Sequence, residues 1–165
     1  MCTRRGALAL CAVACLQTAT ARAQDPSLTF TAAVALARER AVDTVLVVFP
    51  DLQGRLVGKR VTGGFFLERV AEGSIEACNY LLAVDVEMTP LPGYRAFNWD
   101  QGYGDFSAVP DLTTIRMVPW LEKTALVLCD LVDEHSRQPI EVSPRRILQR
   151  LEEQAAARGL LVHIG

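Results

Sequence analysis

The sequence predicts an α+β fold: a mixed sheet with packed helices. Three observations predict it. Two apolar, β-branched runs, "DTVLVVFP" (43–50) and "TALVLCDLVD" (124–133), read as buried strands. A punctuated run, "SPRRILQRLEEQAAARG" (143–159), reads as a helix. The elements follow one another as helix, hairpin, short helix, long loop, two strands and helix, with no internal repeat and no low-complexity linker.

The chain divides into a leader-like segment (1–23) and one folded unit (24–165). "MCTRR" is basic, "GALALCAVACL" is apolar, and "QTATARA" is rich in small residues. That is the three-part pattern of a secretory signal, with cleavage expected before Gln24. The apolar run is too short to span a bilayer as a helix, so no membrane partner is expected. With 165 residues, half of them apolar, and a net charge of −2, the chain can bury a real core. Lys and Arg are scattered, so no nucleic-acid surface is expected. Beyond residue 23 only Cys78 and Cys129 remain, too few for a disulfide scaffold. Cys129 sits in an apolar run and reads as a small buried hydrophobe.

In chain order, "LTFTAAVALARERA" (28–41) has apolar residues at Phe30, Val34 and Ala37 and reads as a helix capped by Thr29 or Thr31. "DTVLVVFP" follows and ends at Pro50. "DLQG" (51–54) is a turn, and "RLVGKRVT" (55–62) resumes as the second strand of a hairpin. "GGFFLERVAEG" (63–73) reads as a short helix between glycines, while "IEACNYLLAVD" (75–85) fits helix or strand. Residues 87–111 read as one long loop containing Pro90, Pro92, Gly93, Gly102, Gly104 and Pro110. Such length without regular structure is usually functional or disordered. Tyr94, Phe97, Trp99, Tyr103 and Phe106 argue against disorder. "TTIRMVPW" (113–120) and "TALVLCDLVD" read as the next two strands. The last helix takes Ser143 as its cap, Pro144 at its first position and Gly159 at its end, with Ile147, Leu148, Leu151 and Ala155 as its apolar face. "LLVHIG" begins like another strand.

Several chemistries fail on spacing. "GRLVGKR" has one residue too few between its glycines for a P-loop and Arg60 after the lysine. Gly102-x-Gly104 imitates half a dinucleotide fingerprint, but Ser107 replaces the third glycine and no helix follows. His135 and His163 lack metal-ligand spacing. What remains is carboxylates: Asp85, Asp100, Asp105 and Asp111 flank one glycine- and aromatic-rich stretch. Two readings stand. They are solvated turn residues, or they present a carboxylate among aromatic faces to an ammonium or amine.

Three ordered blocks go further. "VFPDLQGRLVGKRV", "WDQGYGDFSAVPDLTTIRMVPW" and "ALVLCDLVDEHSRQPIEVSPRRILQR" together resemble the N-terminal domain of the glutamine synthetase family, in its type I, γ-glutamyl-polyamine synthetase-like branch. Asp51, Gly54, Gly58 and Lys59 match the first block. Gly102, Gly104, Asp105, Pro110, Asp111, Thr114, Pro119 and Trp120 match the second. Pro144 and Arg145 match the third, with Ser143 where Asp is usual.

The resemblance implies a β-grasp-like domain that is not itself catalytic. In the family a larger C-terminal domain binds ATP and Mg or Mn, phosphorylates glutamate, and joins it to ammonia or an amine. Subunits form homo-oligomeric rings in which the N-terminal loop of one subunit faces the catalytic domain of the next. By the same resemblance Asp85 matches the aspartate offered to the incoming ammonium, Asp105 a second acidic loop position, and Trp99 an aromatic beside the site. The chain stops at Ile164-Gly165, just before the family's E-x-E-F strand of metal ligands. No cofactor is therefore expected in this chain, and catalysis is not expected from it alone. The family is cytoplasmic, whereas residues 1–23 look secretory; the alternative is an exported β-grasp binding domain without ligase chemistry.

Overall fold

The computed structural model describes residues 42–163. The helix expected over 28–41 and the leader-like segment 1–23 lie outside them. Six strands form one mixed sheet in the order β2-β1-β6-β4-β3, with β5 also on β6. These are β1 Thr44–Pro50, β2 Leu56–Thr62, β3 Ile75–Cys78, β4 Asp105–Pro110, β5 Arg116–Met117 and β6 Thr124–Asp133. The α+β class is as the sequence predicts. Among the described residues no helix is long and apolar enough to cross a membrane.

The apolar run of β6 makes it the spine. Its first half lies parallel to β1, Thr44 opposite Thr124 and Val48 opposite Leu128. Its second half lies antiparallel to β4, with Phe106 opposite Asp133 and Pro110 opposite Cys129. Alternation along both central strands divides their side chains between two faces. Val45, Val47 and Phe49 of β1 join Val127, Cys129 and Leu131 of β6 in the main core, closed by Phe66 and Val70. Val48 and Leu126 point the other way, into a small cluster with Val118.

The hairpin β1–β2 forms as expected, Val48 opposite Gly58. Gly58 has a specific reason: a Cβ there would sit 2.1 Å from the Val47 carbonyl oxygen. The short helix also forms, as Gly63–Phe65 capped by the Thr62 hydroxyl and running into a π-helical turn, Phe66–Val70. The ambiguous 75–85 segment splits into β3 and a 3-10 turn, Asn79–Leu82.

Three expectations are corrected. The long loop is interrupted by β4, whose Phe106, Ser107 and Ala108 are all buried. Its alternation, Asp105-Phe106-Ser107-Ala108, is only four residues long and lies between two glycines and a proline, so loop signals outweigh it in the sequence. Conversely, "TTIRMVPW" is strand only at Arg116–Met117, because Thr113 and Thr114 belong to a 3-10 turn, Leu112–Thr114. Leu160, Leu161, Val162 and His163 are exposed and form no strand.

The last helix, Pro144–Ala156, starts at Pro144 as expected, but the Ser143 side chain makes no capping bond. It lies near β1 and β6. Its expected apolar face is not buried: Leu148 is 45% and Leu151 56% exposed. Charge ties it down instead. Arg145 donates to Asp111 at 2.8 Å and to Asp130 at 2.9 Å, and the Gln149 amide reaches the same Asp130 oxygen at 3.1 Å. Asp111 also accepts from the Thr113 amide and hydroxyl, and Thr114 bridges the Asp111 carbonyl to the Leu128 amide. Partial burial pushes the Asp111 carboxyl up, but the bonds from Thr113 and Arg145 outweigh it and hold the group below its ordinary 3.8.

Two predictions follow from these contacts. Gly58→Ala forces β2 off β1 and lowers stability by about 2–3 kcal/mol. Gly54→Ala, where the left-handed backbone has open space around it, costs about 1 kcal/mol. Urea unfolding of the two variants checks the difference. Second, Asp111 binds a proton more weakly folded than unfolded, so its stabilisation is present above its unfolded value and lost as pH falls through the folded one. Arg145→Ala therefore costs about 2 kcal/mol at pH 7. Asp111→Asn flattens the loss of stability as pH falls through and below the carboxyl's ordinary 3.8, measured by denaturant titrations at descending pH.

Candidate functional site

One end of the sheet gathers the candidate residues. There β1 ends at Pro50, β6 ends at Asp133 and β3 ends at Cys78, while β2 begins at Leu56 and β4 begins at Asp105. Phe49 and Phe106 meet edge to face at 5.1 Å and lock the end of β1 to the start of β4.

The hairpin loop is organised by Asp51, whose side chain is 1% exposed. Its Oδ1 accepts from the amides of Gln53 (2.9 Å) and Arg55 (2.8 Å), and its Oδ2 pairs with Arg55 Nε at 2.7 Å. A buried carboxylate requires such satisfaction. Gly54 supplies the left-handed turn, φ 79°. The loop then reaches across to the segment before residue 87. Gln53 Nε2 donates to the Val84 carbonyl at 3.0 Å, Arg55 Nη2 to the Asp85 carbonyl at 3.0 Å, and Arg55 Nη1 to the Val86 carbonyl.

Asp85 is half-buried at the head of a tight turn. Its Oδ1 accepts from the Glu87 amide (3.0 Å) and the Thr89 amide (2.8 Å). Among the described residues, its Oδ2 takes no hydrogen bond. Asp105 is exposed opposite Cys78, and among the described residues its carboxylate makes no bond or ion pair. Just ahead of it lies an aromatic group. Trp99, 74% exposed, stands edge-on to Tyr103 at 4.9 Å, and Tyr103 meets Tyr80 at 6.0 Å. Asn79 closes the group by a double link to Gly104. Trp99 thus packs on the residue two before Asp105, while Asp85 is fastened to the hairpin loop. Among the described residues no hydrogen bond or ring contact joins the two groups.

The remaining candidates sort by geometry. Asp111 is engaged with Arg145 and its own turn. The His135 amide caps Asp133 within a turn. Burial pushes the Cys129 thiol up to about 12, so it is no nucleophile. Lys59 lies mid-strand in β2, which offers no nest of amides for a phosphate. Among the described residues no group of three or more His, Cys, Asp or Glu could hold a metal ion. Sequence reading missed the role of Arg55; the signal was the Asp51-x-x-Gly54-Arg55 spacing, which suits a carboxylate closing its own turn.

No family model matches the chain. The chain is 47% identical over 124 residues to gamma-glutamylethanolamide synthetase GlnA4 of Streptomyces coelicolor, covering 75% of this chain and 27% of that protein. It is 36% identical over 118 residues to a glutamate–isopropylamine ligase of a Pseudomonas species, covering 72% and 26%. It is also 28% identical over 132 residues to a glutamine synthetase of Rhizobium leguminosarum, covering 79% and 26%. Among solved structures, a GmaS/ADP complex superposes with a TM-score of 0.53 at 23% identity, over 75% of this chain and 25% of that one, which supports the fold. The chain spans about a quarter of the length of these relatives. Over the three quarters of its length that align, the chain belongs to the glutamine synthetase family.

Proposed function

We propose that this chain is the amine-side module of a glutamate–amine ligase. In this reading it presents Asp85 and Asp105, with Trp99, to an amine in a site shared with the catalytic domain of a neighbouring subunit. The carrying observation is the match to an enzyme named for joining a γ-glutamyl group to ethanolamine. Geometry supports it. Asp85 keeps one carboxylate oxygen uncommitted among the described residues, Asp105 stands exposed, and both lie at one end of the sheet.

The chemistry suits those groups. An amine at neutral pH is an ammonium ion, which a carboxylate attracts and an aromatic face accepts. It must lose a proton before it can attack, and a facing carboxylate can take that proton. ATP and Mg or Mn, implied by the family resemblance, do not fit the described residues, which offer no cluster of metal donors. In this reading they belong to the partner domain, and the chain alone does not form the γ-glutamyl bond.

A chimera tests this. The matched quarter of the Streptomyces enzyme is replaced by the matched residues of this chain. The chimera is expected to make γ-glutamyl product, and Asp85→Asn or Asp105→Asn is expected to raise the amine KM about tenfold while leaving the glutamate KM unchanged. An unaltered amine KM in both variants removes the reading. Product from the chain alone with glutamate, ATP and ethanolamine removes the claim that it needs a partner domain.

A further inference from the structure

The turn that carries Asp85 has an internal shape but little packing. Val86, Glu87, Met88 and Thr89 are all exposed. Bonds inside the turn define its curvature: Asp85 N to Thr89 O, Met88 N to Asp85 O, and the two amides on Asp85 Oδ1. None of these fixes where the turn sits on the domain. On its far side it is held by the Val84–Pro90 bridge and the Leu91 amide on the Ala83 carbonyl. On its near side Gln53 Nε2 takes the Val84 carbonyl at its base, and Arg55 holds the turn itself, its two terminal nitrogens on the carbonyls of Asp85 and Val86.

Arg55 can do this because its own position is settled from below. Its Nε lies on Asp51 Oδ2 at 2.7 Å, and Asp51 is buried and tied to two loop amides. The planar guanidinium then has one edge on a buried carboxylate and its terminal nitrogens aimed at two successive carbonyls. A lysine ammonium has no such fixed fork. We propose that Arg55 is a positioning residue: it transmits the place of buried Asp51 to the Asp85 turn and so sets where the Asp85 carboxylate meets the amine. This rests on the reading that Asp85 faces the amine.

The latch itself is tested in the full chain by amide hydrogen exchange. Arg55→Ala keeps the backbone amide that Asp51 holds, so the hairpin loop stays closed. Exchange across residues 84–89 is expected to quicken at least about tenfold in Arg55→Ala and less in Arg55→Lys, with β1 and β6 as protected as before. In the chimeric ligase, Arg55→Ala is expected to raise the amine KM about tenfold with the glutamate KM unchanged, and Arg55→Lys to restore part of it. Unchanged exchange at 84–89 overturns the latch. Faster exchange with an unchanged amine KM, in a chimera where Asp85→Asn does raise it, overturns the positioning role. If Asp85→Asn has no effect on the amine KM, the underlying reading of Asp85 fails instead.

Discussion

The parallel pairing of β1 with β6 is the constraint on which the rest of the domain depends. It brings two apolar runs from distant parts of the chain side by side and aligns their alternation. The same faces of Val45, Val47 and Phe49 and of Val127, Cys129 and Leu131 then make one core. Everything else attaches to that pair. The hairpin adds β2 to one side, and the far half of β6 receives β4, which in turn receives β3. Because β1 and β6 run in the same direction and the flanking strands run against them, the connecting loops collect at one end, where Asp85 and Asp105 stand.

Around this apolar frame, two carboxylates organise the polar connections. Asp51 and Asp111 each follow the proline that ends a strand, each accepts amides of its own turn, and each pairs with an arginine. The arginines face different elements. Arg55 extends from a loop to grip the Asp85 turn, and Arg145 comes from a helix to bind the end of β4 and the middle of β6. Both motifs therefore fasten elements distant in the chain, a loop to a turn in one case and a helix to the sheet in the other. A carboxylate already committed to a cation and to amides is a poor receiver for a substrate cation. That separates Asp111 from Asp105, although both lie in the same short stretch of sequence.

Much of the frame was legible because its signals are local. The β1–β2 hairpin announces itself by an apolar run, a proline and a glycine-bearing turn. The helix at Pro144 announces itself by its first residue. Strand β4 did not, because its alternation spans only Asp105 to Ala108 among glycines and a proline, and its burial comes from neighbours remote in sequence. The apolar face of the last helix was read from its spacing, yet Leu148 and Leu151 stay exposed among groups held by ion pairs. At the candidate site, composition singled out the carboxylates around one aromatic-rich stretch, and only the family resemblance set Asp85 and Asp105 apart with Trp99. Neither showed that Asp85 is linked to the hairpin loop, since that link joins residues 30 apart in the chain across the sheet end.

The β1–β6 pairing also dictates an order of events during folding. Thr44 cannot meet Thr124 until nearly the whole of the intervening chain has been made. Until then β1, with Val45, Val47 and Phe49, has its inner edge without the β6 partner that completes it. Closing so long a loop before any contact rewards it is slow, and an open apolar strand edge is an adhesive surface in the meantime. The strand that makes the finished domain coherent is thus the last of the described strands to arrive, and the waiting hairpin is the part of the nascent chain that most needs shielding.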